Sequence, residues 1–153
     1  MKKFIIALPV GVMSIAMILI TAYLSLSSHP IGENILPSFV GVDKCCHALL
    51  YAVVTVAFLF DYVKFRLPHS PKTSIELALT ASAIVLGMFM EAGQLAITDE
   101  RFFEFYDVLA NAIGAIIGYG WYKLWGRHSL RSYYFTRYRR HHHRRDDGAM
   151  TEY

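Results

Sequence analysis

The sequence predicts an all-α membrane protein: a four-transmembrane-helix bundle with both termini in the cytoplasm and a basic cytoplasmic tail. Three observations predict it. Hydrophobic residues make up 55% of the 153-residue chain, against roughly 45–50% in soluble domains. Charged residues are only 18%, and they cluster between long apolar runs. Four such runs occur, each close to or beyond the roughly 20 residues that cross about 30 Å of hydrocarbon at about 1.5 Å per residue. A soluble chain of this size would bury one core and would not need four stretches of this kind.

The first run extends from about residue 4 to 26, the second from 45 to 63, the third from 74 to 97 and the fourth from 105 to 125. Backbone groups in lipid must bond internally, so these runs are expected to be helices. They lack the period-2 alternation of barrel strands. Lys2 and Lys3 precede the first run, as in a signal peptide. Its apolar stretch is longer than the usual 7–15 or so residues of a signal core, however, and no small-x-small pattern stands out near Tyr23–Ser28. It is therefore read as a retained span. The segment from Leu26 to Lys44 carries Pro30, Gly32 and Pro37, which argues for an irregular outer loop. No internal repeat is apparent.

Orientation follows from the basic residues. All of the 15 lysines and arginines except Lys44 and Arg101 fall on one side of this arrangement. The positive-inside rule places that side, with both termini, in the cytoplasm. The net charge of +3 is segregated by position, which membrane topology explains and which gives no reason to invoke nucleic acid. Residues 126–153 form the basic tail, expected to be disordered, with Tyr133, Tyr134 and Phe135 near its start and His141–His143 among arginines. Such a segment is attracted to anionic lipid by about 1 kcal/mol per charge; a solvated tail that only fixes topology is the plainer reading. Cys45 and Cys46 are adjacent, with neither disulfide-framework nor zinc spacing, and read as small apolar residues at a helix start.

Polar residues gather near the outer side. Asp43, His47 and Tyr51 follow i, i+4, i+8 spacing and share a face at the start of span two, with Lys44 beside them. Asp43 also suits a helix N-cap. Glu91 and Gln94 share a face near the outer end of span three, with Glu91 about 9 Å inside the boundary by helix rise. A charge at that depth is costly unless paired, so a functional site is the default reading and an interhelical hydrogen bond the plainer one. Asp107 and Asn111 open span four, and Gly114 and Gly118 follow as a close-packing motif. The outer pocket is thus assigned to Asp43, Lys44, His47, Tyr51, Glu91, Gln94, Arg101, Asp107 and Asn111, with no residue assigned to a resident metal and no cofactor required by the sequence.

The same residues resemble the VanZ-like membrane family, whose name comes from a teicoplanin-resistance protein. Asp43-Lys44-x-x-His47-x-x-x-Tyr51 looks like its first signature, Glu91-x-x-Gln94 its second, and Arg101 followed by Asp107-Val-Leu-Ala-Asn111-x-x-Gly114 its third. The resemblance covers roughly Pro30 to Gly120. The family often has Pro-Gly before the arginine, where this chain has Asp99-Glu100, and an acid before the glutamate, where it has Met90. The resemblance implies a small multi-pass membrane protein with a cell-envelope or glycopeptide-resistance role.

Three functions are compatible with these residues. The first is binding, without catalysis, of an envelope lipid or a lipid-linked anionic headgroup at the outer pocket, where two helix N-termini and two cations would favour an anion. The second is a membrane enzyme on such a headgroup, with His47 as base oriented by Asp43 or Asp107 and Glu91 as acid, or with Asp43, His47, Glu91 and Asp107 around a divalent metal. The third is a small proton-linked transporter, which would need a homodimer, for which the Gly114/Gly118 face is one candidate surface.

Overall fold

The computed structural model describes residues 8–26, 41–66, 69–97 and 105–129. Arg101, the loop at 27–40 and the tail from residue 130 lie outside the described residues. Helices account for every element described: α1 (Val12–Leu26), α2 (Val42–Arg66), α3 (Thr73–Ile97) and α4 (Phe105–Trp121), the last continuing into a wide π turn at Tyr122–Gly126. Two of them, Val42–Arg66 and Thr73–Gln94 within α3, are long and apolar enough to cross a membrane.

The helix starts differ in detail from the sequence expectation, for local reasons. The first run was expected to be helical from residue 4, but residues 8–11 form a turn and α1 opens at Val12. Pro9 has no N–H to donate. Gly11 takes φ +92°, a left-handed conformation open to glycine and strained for other residues. Gly41, at φ +98°, plays the same part before α2, and its carbonyl accepts from Cys45 N at 3.1 Å. Gly41 therefore takes the position just before the helix, and Asp43 lies inside the first turn rather than at the N-cap. Its charge still favours the positive end of the helix dipole.

Contacts between helix ends fix the topology. Ser14, near the start of α1, meets Asp61, near the end of α2. His47 at the start of α2 meets Asn111 early in α4 and Glu91 near the end of α3. Gln94 of α3 meets Ser25 at the end of α1. The four helices thus run up, down, up, down, with α2 and α4 parallel to each other.

The middle of the bundle is apolar. Val54, Ala83 and Ala115 are buried together, flanked by Met17, Phe58, Ile84 and Leu86. A second cluster joins Leu59, Val63 and Tyr122, flanked by Phe60, Leu79 and Tyr119. Gly114 and Gly118 let α4 press on α2. A Cβ on Gly114 would collide with the Ala48 carbonyl oxygen, and one on Gly118 with that of Ala52. This small-residue face is covered by the chain's own α2.

Polarity is distributed unusually. Among the described residues, buried side chains are as often polar as apolar, and the polar ones include Asp61, Glu76, Glu91, Asp107 and Asn111. Large apolar side chains such as Ile15, Leu19, Phe89, Ile116 and Ile117 face outward. Water-soluble domains bury charged side chains only rarely.

Candidate functional site

The site lies where α2 and α4 begin and α3 ends. Each helix supplies polar side chains at one-turn spacing: Asp43, His47 and Tyr51 from α2, Asp107 and Asn111 from α4, and Glu91 from α3. Because α2 and α4 run parallel in close contact, their first turns stand side by side. Gly87 brings α3 against this pair. A Cβ there would lie 3.0 Å from Asn111 Cβ and 3.2 Å from Tyr51 Cε1.

His47 is the centre. Its Nδ1 donates to Asn111 Oδ1 at 3.1 Å, since an amide oxygen can only accept. Glu91 Oε1 stands 3.7 Å from the same nitrogen. On the far side of the ring, Asp43 Oδ1 stands 3.8 Å from Nε2. Lys44 Nζ lies 3.2 Å from Asp107 Oδ1. Side-chain exposure falls from 69% at Asp43 and 39% at Lys44 to 13% at His47, 9% at Asp107 and 2% at Glu91. The cluster therefore has a mouth, at Asp43 and Lys44, and a floor, at Glu91 and Asn111.

Several floor atoms lack hydrogen bonds among the described residues: Glu91 Oε1, Asn111 Nδ2 and the Tyr51 hydroxyl. Buried polar atoms are nearly always paired; Asn111 stands close enough to Glu91 to stabilise its carboxylate, and water, an ion or a ligand can satisfy the rest. Asp43, His47 and Asp107 each offer one ligand atom, all within 4.8 Å of one another, and so could hold a metal ion. Glu91, which the sequence groups with them, approaches the opposite ring nitrogen.

Of the residues expected at the pocket, the structure brings together Asp43, Lys44, His47, Tyr51, Glu91, Asp107 and Asn111. Gln94 serves elsewhere as well: its Nε2 donates to the Ser25 carbonyl at 2.7 Å, satisfying a group that the end of α1 leaves without an intrahelical partner. Arg101 lies outside the described residues.

Gly87 is a member that sequence reasoning missed. A lone glycine in an apolar run gives no signal beyond its cost to helix formation. Two buried acids away from the site were also missed. Glu76 accepts from the Tyr122 hydroxyl at 2.8 Å and faces Lys123 Nζ at 2.8 Å. Asp61 accepts from Ser14 N at 2.8 Å and Ser14 Oγ at 2.7 Å. An acid within an apolar run, as Asp61 is, was the available signal.

The family model described as VanZ/LLP1 matches residues 3–126, a stretch that contains the whole cluster. No curated protein and no solved structure matches the chain.

Proposed function

Because this chain belongs to the VanZ/LLP1 family, we propose that it is a multi-pass cell-envelope membrane protein that binds the headgroup of an envelope lipid at the His47 pocket. Membership of this family suggests a cell-envelope or resistance-related membrane protein. The reading takes residues 1–125 as a four-span domain and 126–153 as a cytoplasmic tail drawn to anionic lipid. The inverted polarity supports the membrane part: apolar side chains outside, acids and amides inside. In lipid, an outward Phe89 or Ile116 is in its preferred solvent, and the polar side chains are forced together in the interior. The distribution of lysine and arginine supports a cytoplasmic location for both termini.

One observation carries the binding part. Polar side chains from three helices converge on His47 and grade from an exposed mouth to a floor with unbonded buried atoms. The α2 and α4 N-termini at this end, with Lys44 at the mouth, favour an anionic group entering from the adjacent leaflet. The test is retention of purified protein on vesicles of envelope lipids. Wild type is expected to bind, and Glu91→Gln and Asp107→Asn to bind at least about tenfold more weakly. Equal retention of all three proteins would sink the reading.

A second reading, catalysis on the same headgroup, is favoured by the hydrogen bond from His47 Nδ1 to Asn111, which leaves Nε2 toward the mouth as a base. Release of labelled headgroup by wild type, lost in His47→Ala while lipid binding persists, distinguishes it from binding alone.

A further inference from the structure

We propose that Asp43, His47 and Asp107 form a binding site for a divalent cation of the Zn2+ or Mn2+ type. Their ligand atoms all lie within 4.8 Å of one another. Two ligands of one tetrahedral ion, each about 2.0–2.2 Å from it, stand about 3.3–3.6 Å apart. The trio therefore closes around an ion by side-chain movements of about 1 Å. Asp43, on the exposed rim, has the freedom to make them.

His47 is oriented for this role. Its Nδ1 proton is committed to Asn111 Oδ1 at 3.1 Å. The neutral ring then carries its lone pair on Nε2, which faces Asp43 Oδ1 at 3.8 Å. That distance is too long for a hydrogen bond, and a positive charge there, a metal ion or a proton on Nε2, relieves the repulsion between the two electron-rich atoms. Metal-bound histidines hold their other N–H on a carbonyl or carboxylate in this way.

An independent observation points to the same positive centre. Glu91 is 2% exposed, and its Oε1 has no hydrogen bond among the described residues while standing 3.7 Å from His47 Nδ1. A carboxyl buried so deeply needs a proton of its own or positive charge nearby. A cation on Nε2 supplies it through the ring, by polarising the Nδ1–H bond.

Lys44 explains how the aspartates coexist when no ion is bound. Its ammonium lies 3.2 Å from Asp107 Oδ1, and its side chain is 39% exposed, so it can swing outward when an ion arrives. Lys44 is thus a competitor of the cation. The donor set, one imidazole and two carboxylates, suits Zn2+ or Mn2+ over Ca2+ and Mg2+, which prefer oxygen alone. Three protein ligands leave a coordination position open. If the headgroup reading holds, an anionic oxygen of the lipid takes that position, and the ion reconciles an acid-rich pocket with an anionic ligand. The cation site itself does not depend on that reading.

The test uses the full chain in detergent, stripped of metal, with His141, His142 and His143 each replaced by alanine so that the tail does not chelate. Co2+ is the optical probe and Zn2+ the competitor. One Co2+ per chain is expected, displaced by Zn2+. His47→Gln and Asp107→Asn should weaken binding tenfold or more, and Asn111→Ala by about 10–100-fold. Lys44→Met should bind more tightly than wild type, a gain that a purely structural lysine would not produce. This variant alters a half-exposed side chain, so it keeps the test decisive if substitutions at His47 fail to fold. No saturable Co2+ binding, unchanged binding in His47→Gln, or no gain in Lys44→Met overturns the proposal. Vesicle retention with Zn2+ and with chelator separates the two readings. Lipid binding by a protein that takes up no metal removes the cation site alone. Metal uptake without lipid retention removes the headgroup reading alone.

Discussion

The two ends of the bundle both bury acids, but they close differently. At the Glu76 end each acid meets a cation: Glu76 Oε2 and Asp61 Oδ1 make no hydrogen bond but face Lys123 and Lys64. Glu76, fully buried, meets the Tyr122 hydroxyl, Lys123 and, at 3.7 Å, Arg127. Arg127 also donates to the Pro71 carbonyl at 3.0 Å, and Lys72 N to the Tyr62 hydroxyl at 3.0 Å. Asp61 has two donors from Ser14, with Lys64 Nζ 3.7 Å away. At the His47 end, three acids face one histidine and one lysine among the described residues, and the floor keeps atoms without hydrogen bonds. A satisfied buried network rigidifies a fold, and a half-satisfied one costs stability. The contrast separates polar groups that hold the bundle together from those whose presence folding does not explain.

The sharpest way to break this comparison is to remove one acid from each end. Glu76→Ala strands the buried Tyr122 hydroxyl and unpairs Lys123, and is expected to cost about 3–5 kcal/mol. Lys123 is partly exposed, so the lower part of that range is expected. Thermal unfolding in one detergent measures it. Glu91→Gln removes a buried charge whose nearest positive group, His47 Nδ1, is 3.7 Å away, so its stability should equal or exceed that of wild type while headgroup binding falls. Equal losses of stability in both variants would show that the two ends are built alike.

Gly114→Ala tests whether the His47 end depends on the α2–α4 contact. A Cβ there would strike the Ala48 carbonyl, one residue from His47. The helices must part at this level, at a cost of about 1–3 kcal/mol. The His47–Asn111 hydrogen bond spans the same gap and should lengthen. Ligand or Co2+ binding is therefore expected to fall, while protection of Glu76-end amides from hydrogen exchange stays near wild type. Loss of protection at both ends would mean that the bundle opens as one unit.

Much of this was legible in the sequence, for physical reasons. Four apolar runs gave four helices, because hydrophobic length is a strong signal. One-turn spacing put Asp43 with His47 and Asp107 with Asn111, because helical periodicity fixes which residues share a face. What failed was finer. The i, i+3 spacing of Glu91 and Gln94 leaves them about 60° apart and about 4.5 Å apart along the axis, enough for one to face His47 and the other to reach α1. Asp43 was expected at an N-cap that Gly41 displaces, because left-handed backbone is not announced by a glycine among many. Glu76 and Asp61 passed unnoticed because acids near helix ends usually face water, and only the packing of α4 and α1 over them shows otherwise.

Asp61→Ala gives the smallest effect and the cleanest test of locality. The carboxylate accepts the Ser14 amide and hydroxyl from across the helix interface, which makes it a cap for α1 supplied by another helix. The first amides of any helix have no internal partner, and losing a side-chain cap costs about 0.5–2 kcal/mol. The loss should appear as faster hydrogen exchange at Ser14 and its neighbours. Lys64, 5% exposed and 3.7 Å from Asp61, also loses a neighbour and keeps its contact with Met13 Sδ at 3.8 Å, so a cost near about 2 kcal/mol is expected. The bonds of Asp61 reach none of the His47 cluster, so Co2+ uptake and vesicle retention should match wild type. Were binding to fall as well, α1 would be part of the pocket's support, and the link would run through Gln94, whose hydrogen bond to the Ser25 carbonyl joins α1 to the helix that carries Glu91.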